Sequence, residues 1–197
     1  MFSYIRGKIT DKEAGRITVE NNGIGYEIFV SSNTLAYFNR GDEALIYTYF
    51  QVKQDGAALL GFQNKEEKNM FSRLITVNGI GPKNALAILS GITPCDLAFA
   101  VAKNDPALLA KVKGIGKKTA ARIVLELKEK IVLEDGEVAG GAGSDGNGNL
   151  GGGTDDAVVA LQALGFARAD ALKAVGKAAA LVSGTENIIR AALKLMN

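Results

Sequence analysis

The groups best placed to do chemistry in this chain are two clusters of backbone amides and lysines. Val77-Asn78-Gly79-Ile80-Gly81-Pro82-Lys83 is echoed 35 residues later by Val112-Lys113-Gly114-Ile115-Gly116-Lys117-Lys118. Each copy sets two glycines around an isoleucine, between a segment with helical apolar spacing and one that opens on a lysine-bearing turn. The pattern predicts helix, tight turn, helix. Glycine admits the positive φ of the turn, the isoleucine plugs the space between the helices, and the first N–H groups of the second helix point outward. Such a turn is a seat for a phosphate. A single Gly-Ile-Gly turn reads as a plain helix connection, but two copies in register do not arise by chance easily. Val77, Gly79, Ile80, Gly81, Lys83, Ala85 and Ile88 match Val112, Gly114, Ile115, Gly116, Lys118, Ala120 and Ile123. Two helix-hairpin-helix elements related by a local two-fold would grip the two backbones that flank a minor groove. Binding of that kind is independent of base sequence and strongly dependent on salt.

The candidate phosphate-contacting residues are Asn78, Gly79, Gly81, Lys83 and Asn84 in the first copy, and Lys113, Gly114, Gly116, Lys117, Lys118, Thr119 and Arg122 in the second. Lys111, Lys113, Lys117 and Lys118 crowd the second turn with no acid among them, whereas the whole chain carries a formal net charge of only +2. A solvated charged face is the plain alternative; the local excess against a balanced total favours an anionic partner. A catalytic constellation is missing from the sequence. There is no histidine, Cys95 is alone, and no Gly-x-x-x-x-Gly-Lys-Ser/Thr phosphate loop occurs, so neither a zinc cluster, a disulfide nor an ATPase site is expected. The expectation is a non-enzymatic DNA-binding subunit with no cofactor and no metal. Two alternatives stand beside it: a helix-hairpin-helix repair enzyme of glycosylase type, which would need a pocket for a flipped base, and a protein-interaction adaptor in which the hairpins merely pack.

These turns need a scaffold, and the chain's periodicity outlines one. Residues 1–63 read as strands: Ile17 and Val19, then Tyr26, Ile28 and Val30, then Leu45, Tyr47 and Tyr49 alternate with polar neighbours, and Asn22-Gly23 and Asp55-Gly56 supply hairpin turns. Five short strands with a helical interruption near Asn33 to Phe38 suggest an OB-type barrel or, more plainly, a compact β module. Residues 64–133 carry the helical spacing of the tandem hairpins, with helix starts marked by Pro82, Thr93-Pro94 and Pro106. Residues 134–153 hold nine glycines and almost no large apolar side chain, a composition expected to act as a flexible linker spanning roughly 25 Å. Residues 154–197 read as a three-helix bundle capped by Thr154, small enough that part of its apolar surface is expected to serve a partner. The fold class is thus α+β and multidomain. No secretory leader and no apolar stretch long enough to span a bilayer is evident, so a soluble, cytoplasmic protein is expected.

Taken together, the barrel, Asn78-Gly79-Ile80-Gly81-Pro82-Lys83, Gly114-Ile115-Gly116-Lys117-Lys118-Thr119-Ala120, the glycine-rich linker and the last helical unit resemble the RuvA family of bacterial Holliday-junction-binding proteins. Tyr49-Phe50 and Leu60-Gly61-Phe62 add to the likeness. The resemblance implies a homotetramer, or an octamer on DNA, that holds four duplex arms open in a roughly square-planar junction. It implies recruitment of RuvB, a hexameric ATP-driven motor, for branch migration in recombination and repair, with the RuvC junction resolvase as a further partner. It also implies a UBA-like fold for the final bundle, whose Leu161, Leu164 and Phe166 would contact the motor. In that family two adjacent carboxylates on the hairpin between the last barrel strands act as a strand-separating pin; the matching residues here are Gln54 and Asp55, of which one is acidic.

Overall fold

In a computed structural model, residues 2–54, 56–138 and 152–196 are described, and the chain divides into two compact units, Met1–Thr93 and Pro94–Asn197. In the first unit, strands β1 (Tyr4–Glu13), β2 (Arg16–Asn21), β3 (Ile24–Val30), β4 (Glu43–Lys53) and β5 (Gly56–Phe62) close into a barrel in the order β1-β2-β3-β5-β4. Neighbours are antiparallel except β3 and β5, and helix α1 (Ser32–Tyr37) bridges β3 to β4. This is the OB arrangement and not a generic β module. Closure depends on β1 pairing twice, Tyr4–Lys8 against β4 and Lys8–Glu13 against β2. Gly7 makes the changeover possible, because a Cβ there would lie 2.0 Å from the Glu20 carbonyl oxygen. Asn22 and Gly23 hold φ of 50° and 81° in the β2–β3 hairpin, as their dipeptide predicts.

Ile9, Ile17, Val19, Ile28 and Ile46 fill the barrel. On β4 the buried stripe is Ala44, Ile46 and Thr48, while the expected stripe of Leu45, Tyr47 and Tyr49 sits half-buried on the outside. The reason is that the outer face is covered as well. Helix α2 (Lys65–Leu74) places the Phe71 ring 5.2 Å from Tyr49 and 4.8 Å from Phe62, and a strand packed on both faces loses its alternation.

Helix α2 is also pinned by polar contacts. Asn64 caps it by accepting from the Glu67 N–H at 2.8 Å. The Glu67 carboxylate, fully buried, accepts from the hydroxyls of Ser31 at 2.7 Å and Thr34 at 2.5 Å and from the Gln63 N–H at 3.0 Å. Helix α3 (Pro82–Gly91) is tied to α1 in turn: the Asn33 side-chain amide donates to the Leu89 carbonyl at 2.7 Å, and the Ser32 N–H donates to the Ser90 hydroxyl at 2.9 Å. The first hairpin therefore belongs to the same compact unit as the barrel, whereas composition alone draws a line at residue 63.

The second unit comprises α4 (Pro94–Lys103), a 3-10 turn (Leu109–Lys111), α5 (Lys117–Val138), α6 (Gly152–Ala163), α7 (Arg168–Ala179) and α8 (Thr185–Met196). The helix expected after Pro106 is only that 3-10 turn. Asp105 diverts the start by accepting from the Ala107 N–H at 2.9 Å, a local bond that competes with helix. At its other end α5 continues to Val138, so the first residues of the glycine-rich stretch, Glu134–Val138, are helical in backbone. Residues 139–151 of the expected linker lie outside the described residues, and its last two, Gly152 and Gly153, begin α6. Helices α6, α7 and α8 form the predicted three-helix bundle, and α6 also packs on α4. Among the described residues no single helix is long and apolar enough to cross a membrane.

Candidate nucleic-acid interface

The first turn is built by a short ladder of backbone bonds. Val77 N–H donates to Leu74 at 3.1 Å, Ile80 N–H to Val77 at 3.0 Å, and Ala85 N–H to Gly81 at 2.9 Å. The second repeats it residue for residue: Val112 to Leu109 at 3.0 Å, Ile115 to Val112 at 3.0 Å, and Ala120 to Gly116 at 2.9 Å. Gly79 and Gly114 hold the matching positive φ, 78° and 87°, which is the strained corner that glycine relieves. Val77 and Val112 are buried at 2% and 5% exposure and Ile80 at 5%, so the apolar residues of the turn face inward as the repeat predicts. Ile115 is the exception, half-buried.

The other glycine of each turn behaves differently. Gly81 is the N-cap of α3 with φ of −87°, and Gly116 occupies the same place before α5, also outside the left-handed region. A Cβ on either would meet no atom within 4 Å. Neither backbone strain nor internal packing requires glycine at these two sites. Both positions face open space at a helix start, and α3 has no side chain capping it. The first free N–H groups of the helix are left for an external acceptor. Pro82 at the first helical position costs nothing, since its N–H would lack a partner anyway.

Charge gathers at the same ends. Lys83 and Asn84 are exposed on the first turn of α3, and Lys113, Lys117 and Lys118 are exposed around the start of α5, with Thr119 half-buried there. Arg122 is exposed one turn on and lies 4.0 Å from Glu126, a loose pair that leaves most of its donors outward. No acid stands between Asp105 and Glu126, nor between Glu67 and Asp96. Asn78 and Gly79 are exposed at the tip of the first turn, and Gly114 at the tip of the second. The turns can thus offer each phosphate two kinds of donor, fixed amides and mobile ammonium groups.

The remaining candidate residues divide. Gln54 is exposed at the β4–β5 tip, where the pairing of Lys53 with Gly56 leaves a two-residue turn; Asp55 lies outside the described residues. Of the residues expected to contact the motor, Leu161 and Leu164 are buried, at 0% and 1% exposure, on α6, which packs against α4, α7 and α8. Phe166 is half-buried and lines a cleft of about 340 Å³ with Lys173, Lys177, Leu195 and others. A residue missed from sequence is Glu67, which positions the first hairpin without touching any ligand. Its signal was Asn64-x-x-Glu67, the spacing of a capping box. Among the described residues no cluster of three or more acidic, cysteine or histidine side chains is placed to hold a metal ion.

Comparison with known proteins agrees with this geometry. Residues 1–61 match the family described as RuvA N terminal domain, residues 71–129 the SAM-like helix-hairpin-helix tandem, and residues 153–197 the RuvA C-terminal domain. A protein of Acetivibrio thermocellus is 42% identical over 98% of both chains, and one of Alkaliphilus oremlandii is 39% identical over the same share. A Chlorobaculum parvum protein is 37% identical over 100% of this chain and 98% of its own. Each of the three is a Holliday junction branch migration complex subunit RuvA.

Proposed function

The chain belongs to the RuvA family, and we propose that it acts as the junction-binding subunit of a branch migration complex, gripping DNA through its two glycine turns. The observation that carries this role is the open space at Gly81 and Gly116. Glycine where the fold has no need of it is best explained by what approaches from outside, and a phosphate oxygen reaching the helix-start amides has no room for a Cβ. Lys83 on one turn and Lys113, Lys117 and Lys118 on the other add charge that neutralises phosphate without reading bases.

Selectivity for a junction follows from assembly. Four copies arranged around the crossover would each hold duplex backbone, keeping the arms open and the strands unstacked, with the Gln54–Asp55 hairpins meeting at the centre. One carboxylate per copy supplies the repulsion that keeps phosphates apart there. The chain works without chemistry of its own: the RuvB motor supplies ATP-driven movement and engages the final bundle, and the RuvC resolvase acts on the same held junction. Four-way junction and linear duplex of equal length, titrated at matched salt, test the proposal. Preference for the junction by an order of magnitude or more is expected; equal affinity would overturn it.

A further inference from the structure

Helix α1 is six residues long, too short to persist on its own backbone bonds, so its contacts decide whether it forms and where it lies. Those contacts divide by chemistry. At the C-terminal end Phe38, with Leu35 beside it, joins the barrel core of Ile9, Ile28 and Ile46. The Lys12 ammonium donates to the Phe38 carbonyl at 2.7 Å, which ties the same end to β1. At the N-terminal end four consecutive residues each commit a polar group to the first hairpin. The Ser31 and Thr34 hydroxyls, on wholly buried residues, donate to the two carboxylate oxygens of Glu67 on α2 at 2.7 and 2.5 Å. Between them the Ser32 N–H and the Asn33 side-chain amide donate to the Ser90 hydroxyl and the Leu89 carbonyl of α3 at 2.9 and 2.7 Å. Capping α1 itself takes only Ser31, whose oxygen accepts from the Thr34 N–H at 3.1 Å. The remaining bonds add nothing to α1 as a helix and serve to join it to its neighbours.

The two helices of the hairpin are held unequally. Helix α2 also lies on the outside of the barrel, with Phe71 against Tyr49 and Phe62. Helix α3 packs on α1 and α2, and α1 holds it by its last turn. The Leu89 carbonyl is one of the final four that a helix leaves without an internal partner, and Asn33 supplies that partner. Ser90 donates its own proton back to the Leu86 carbonyl at 2.8 Å, which leaves its oxygen turned to accept from Ser32. The opposite end of α3 is the phosphate seat, with Gly81 as its N-cap and Lys83 in its first turn. A helix of ten residues is about 15 Å long, and a tilt of about 10° at the held end carries the other end about 3 Å, the length of a hydrogen bond.

We propose that α1 is a strut whose bonds from Ser32 and Asn33 to α3 set the angle of the first DNA grip against the barrel, and that this angle decides the preference for a junction over linear duplex. Asn33 and Ser90 are thus positioning residues that act through α3 and touch no DNA. The inference rests on the junction-binding role proposed above. A junction is held by several grips at once, and the gain from simultaneous engagement is lost when geometry forbids it, even with every individual contact intact. A linear duplex the length of one arm calls on fewer grips and can follow a tilted seat.

The test uses the full-length protein and four variants: Asn33→Ala, Ser90→Ala, the two together, and Ser90→Thr. Each is titrated at matched salt with a four-way junction and with linear duplex the length of one arm, and thermal melts confirm that each is folded. Asn33 and Ser90 are half-buried and stand apart from the phosphate-facing residues, so duplex affinity should stay within about twofold of the parent throughout. Junction affinity should fall about threefold in each single alanine variant and about tenfold in the double variant, in line with the net worth of one and two hydrogen bonds. Ser90→Thr keeps the accepting hydroxyl and should match the parent on both DNAs. A junction-to-duplex ratio that stays within about twofold in the double variant would overturn the strut. Equal losses on both DNAs would overturn it as well, since they mark a general loss of structure. A parent protein with no preference for the junction would remove the proposed role itself, and the strut with it.

Discussion

The two glycine turns share one backbone and differ in how they are held and what they offer. The first is braced: α2 is capped by Asn64, stacked on Tyr49 and Phe62 through Phe71, and anchored by a buried Glu67. The second is entered through a single 3-10 turn, and its isoleucine, Ile115, is half-buried where Ile80 is enclosed. Charge runs the other way. Lys83 is the one lysine between Thr76 and Gly91, against Lys111, Lys113, Lys117 and Lys118 at the second turn. Shared hydrogen-bond lengths give the two turns one shape, so the difference teaches that rigidity and charge are distributed separately: in the proposed grip on DNA, one turn contributes placement and the other contributes attraction.

The largest effect should come from breaking that asymmetry on the charged side. Lys117→Glu with Lys118→Glu removes two attractive charges and adds two repulsive ones, and should weaken junction binding by about a hundredfold or more at low salt. Lys83→Glu should cost about tenfold. The slope of log affinity against log salt provides the finer measure: alanine at both Lys117 and Lys118 should lower it by nearly twice the change caused by Lys83→Ala, at about 0.9 per phosphate contact. Equal losses at the two turns would dissolve the distinction.

On the braced side the next largest effect is on stability. Glu67→Ala strands the Ser31 and Thr34 hydroxyls and the Gln63 N–H inside the fold, and should destabilise the protein by about 2–3 kcal/mol. Glu67→Gln keeps the volume but gives donors where donors already point, so about half of that loss should remain. Chemical denaturation followed by circular dichroism measures both. Hydrogen exchange should show loosened amides in α2 and around Val77 and Ile80, with those at Val112 and Ile115 little changed.

Much of this was legible in the sequence, and the failures have physical causes. The turns were readable because their demands are local: a positive φ at Gly79 and Gly114 and an enclosed valine at each entry recur at the same spacing. The barrel's turns were readable for the same reason at Asn22-Gly23. What depended on distant partners was not. Leu45, Tyr47 and Tyr49 look like a core stripe until α2 is seen to cover that face, and the depth at which Leu161 and Leu164 lie depends on the three helices packed around α6. Glu67 looked like one more solvated helix charge because its donors come from residues more than thirty positions earlier in the chain, apart from Gln63.

The smallest effects distinguish a glycine kept for the fold from one kept for a ligand. Gly81 and Gly116 have room for a Cβ and no left-handed φ, so Gly81→Ala and Gly116→Ala should each change unfolding free energy by less than about 1 kcal/mol. Gly114→Ala, forced to hold φ near 87°, should cost more, about 1–2 kcal/mol. Binding should rank differently: each of the first two should lose about tenfold in junction affinity, because the new methyl group stands where a phosphate oxygen must approach the helix-start amides. Within that pair Gly81→Ala should do the greater harm, since the braced turn cannot shift to make room, while the turn at Gly116 has looser walls and three further lysines nearby to sustain attraction. Thermal melts and junction titrations on the same three variants separate the two measures, and an affinity loss that merely tracked stability would return Gly81 and Gly116 to the role of ordinary helix caps.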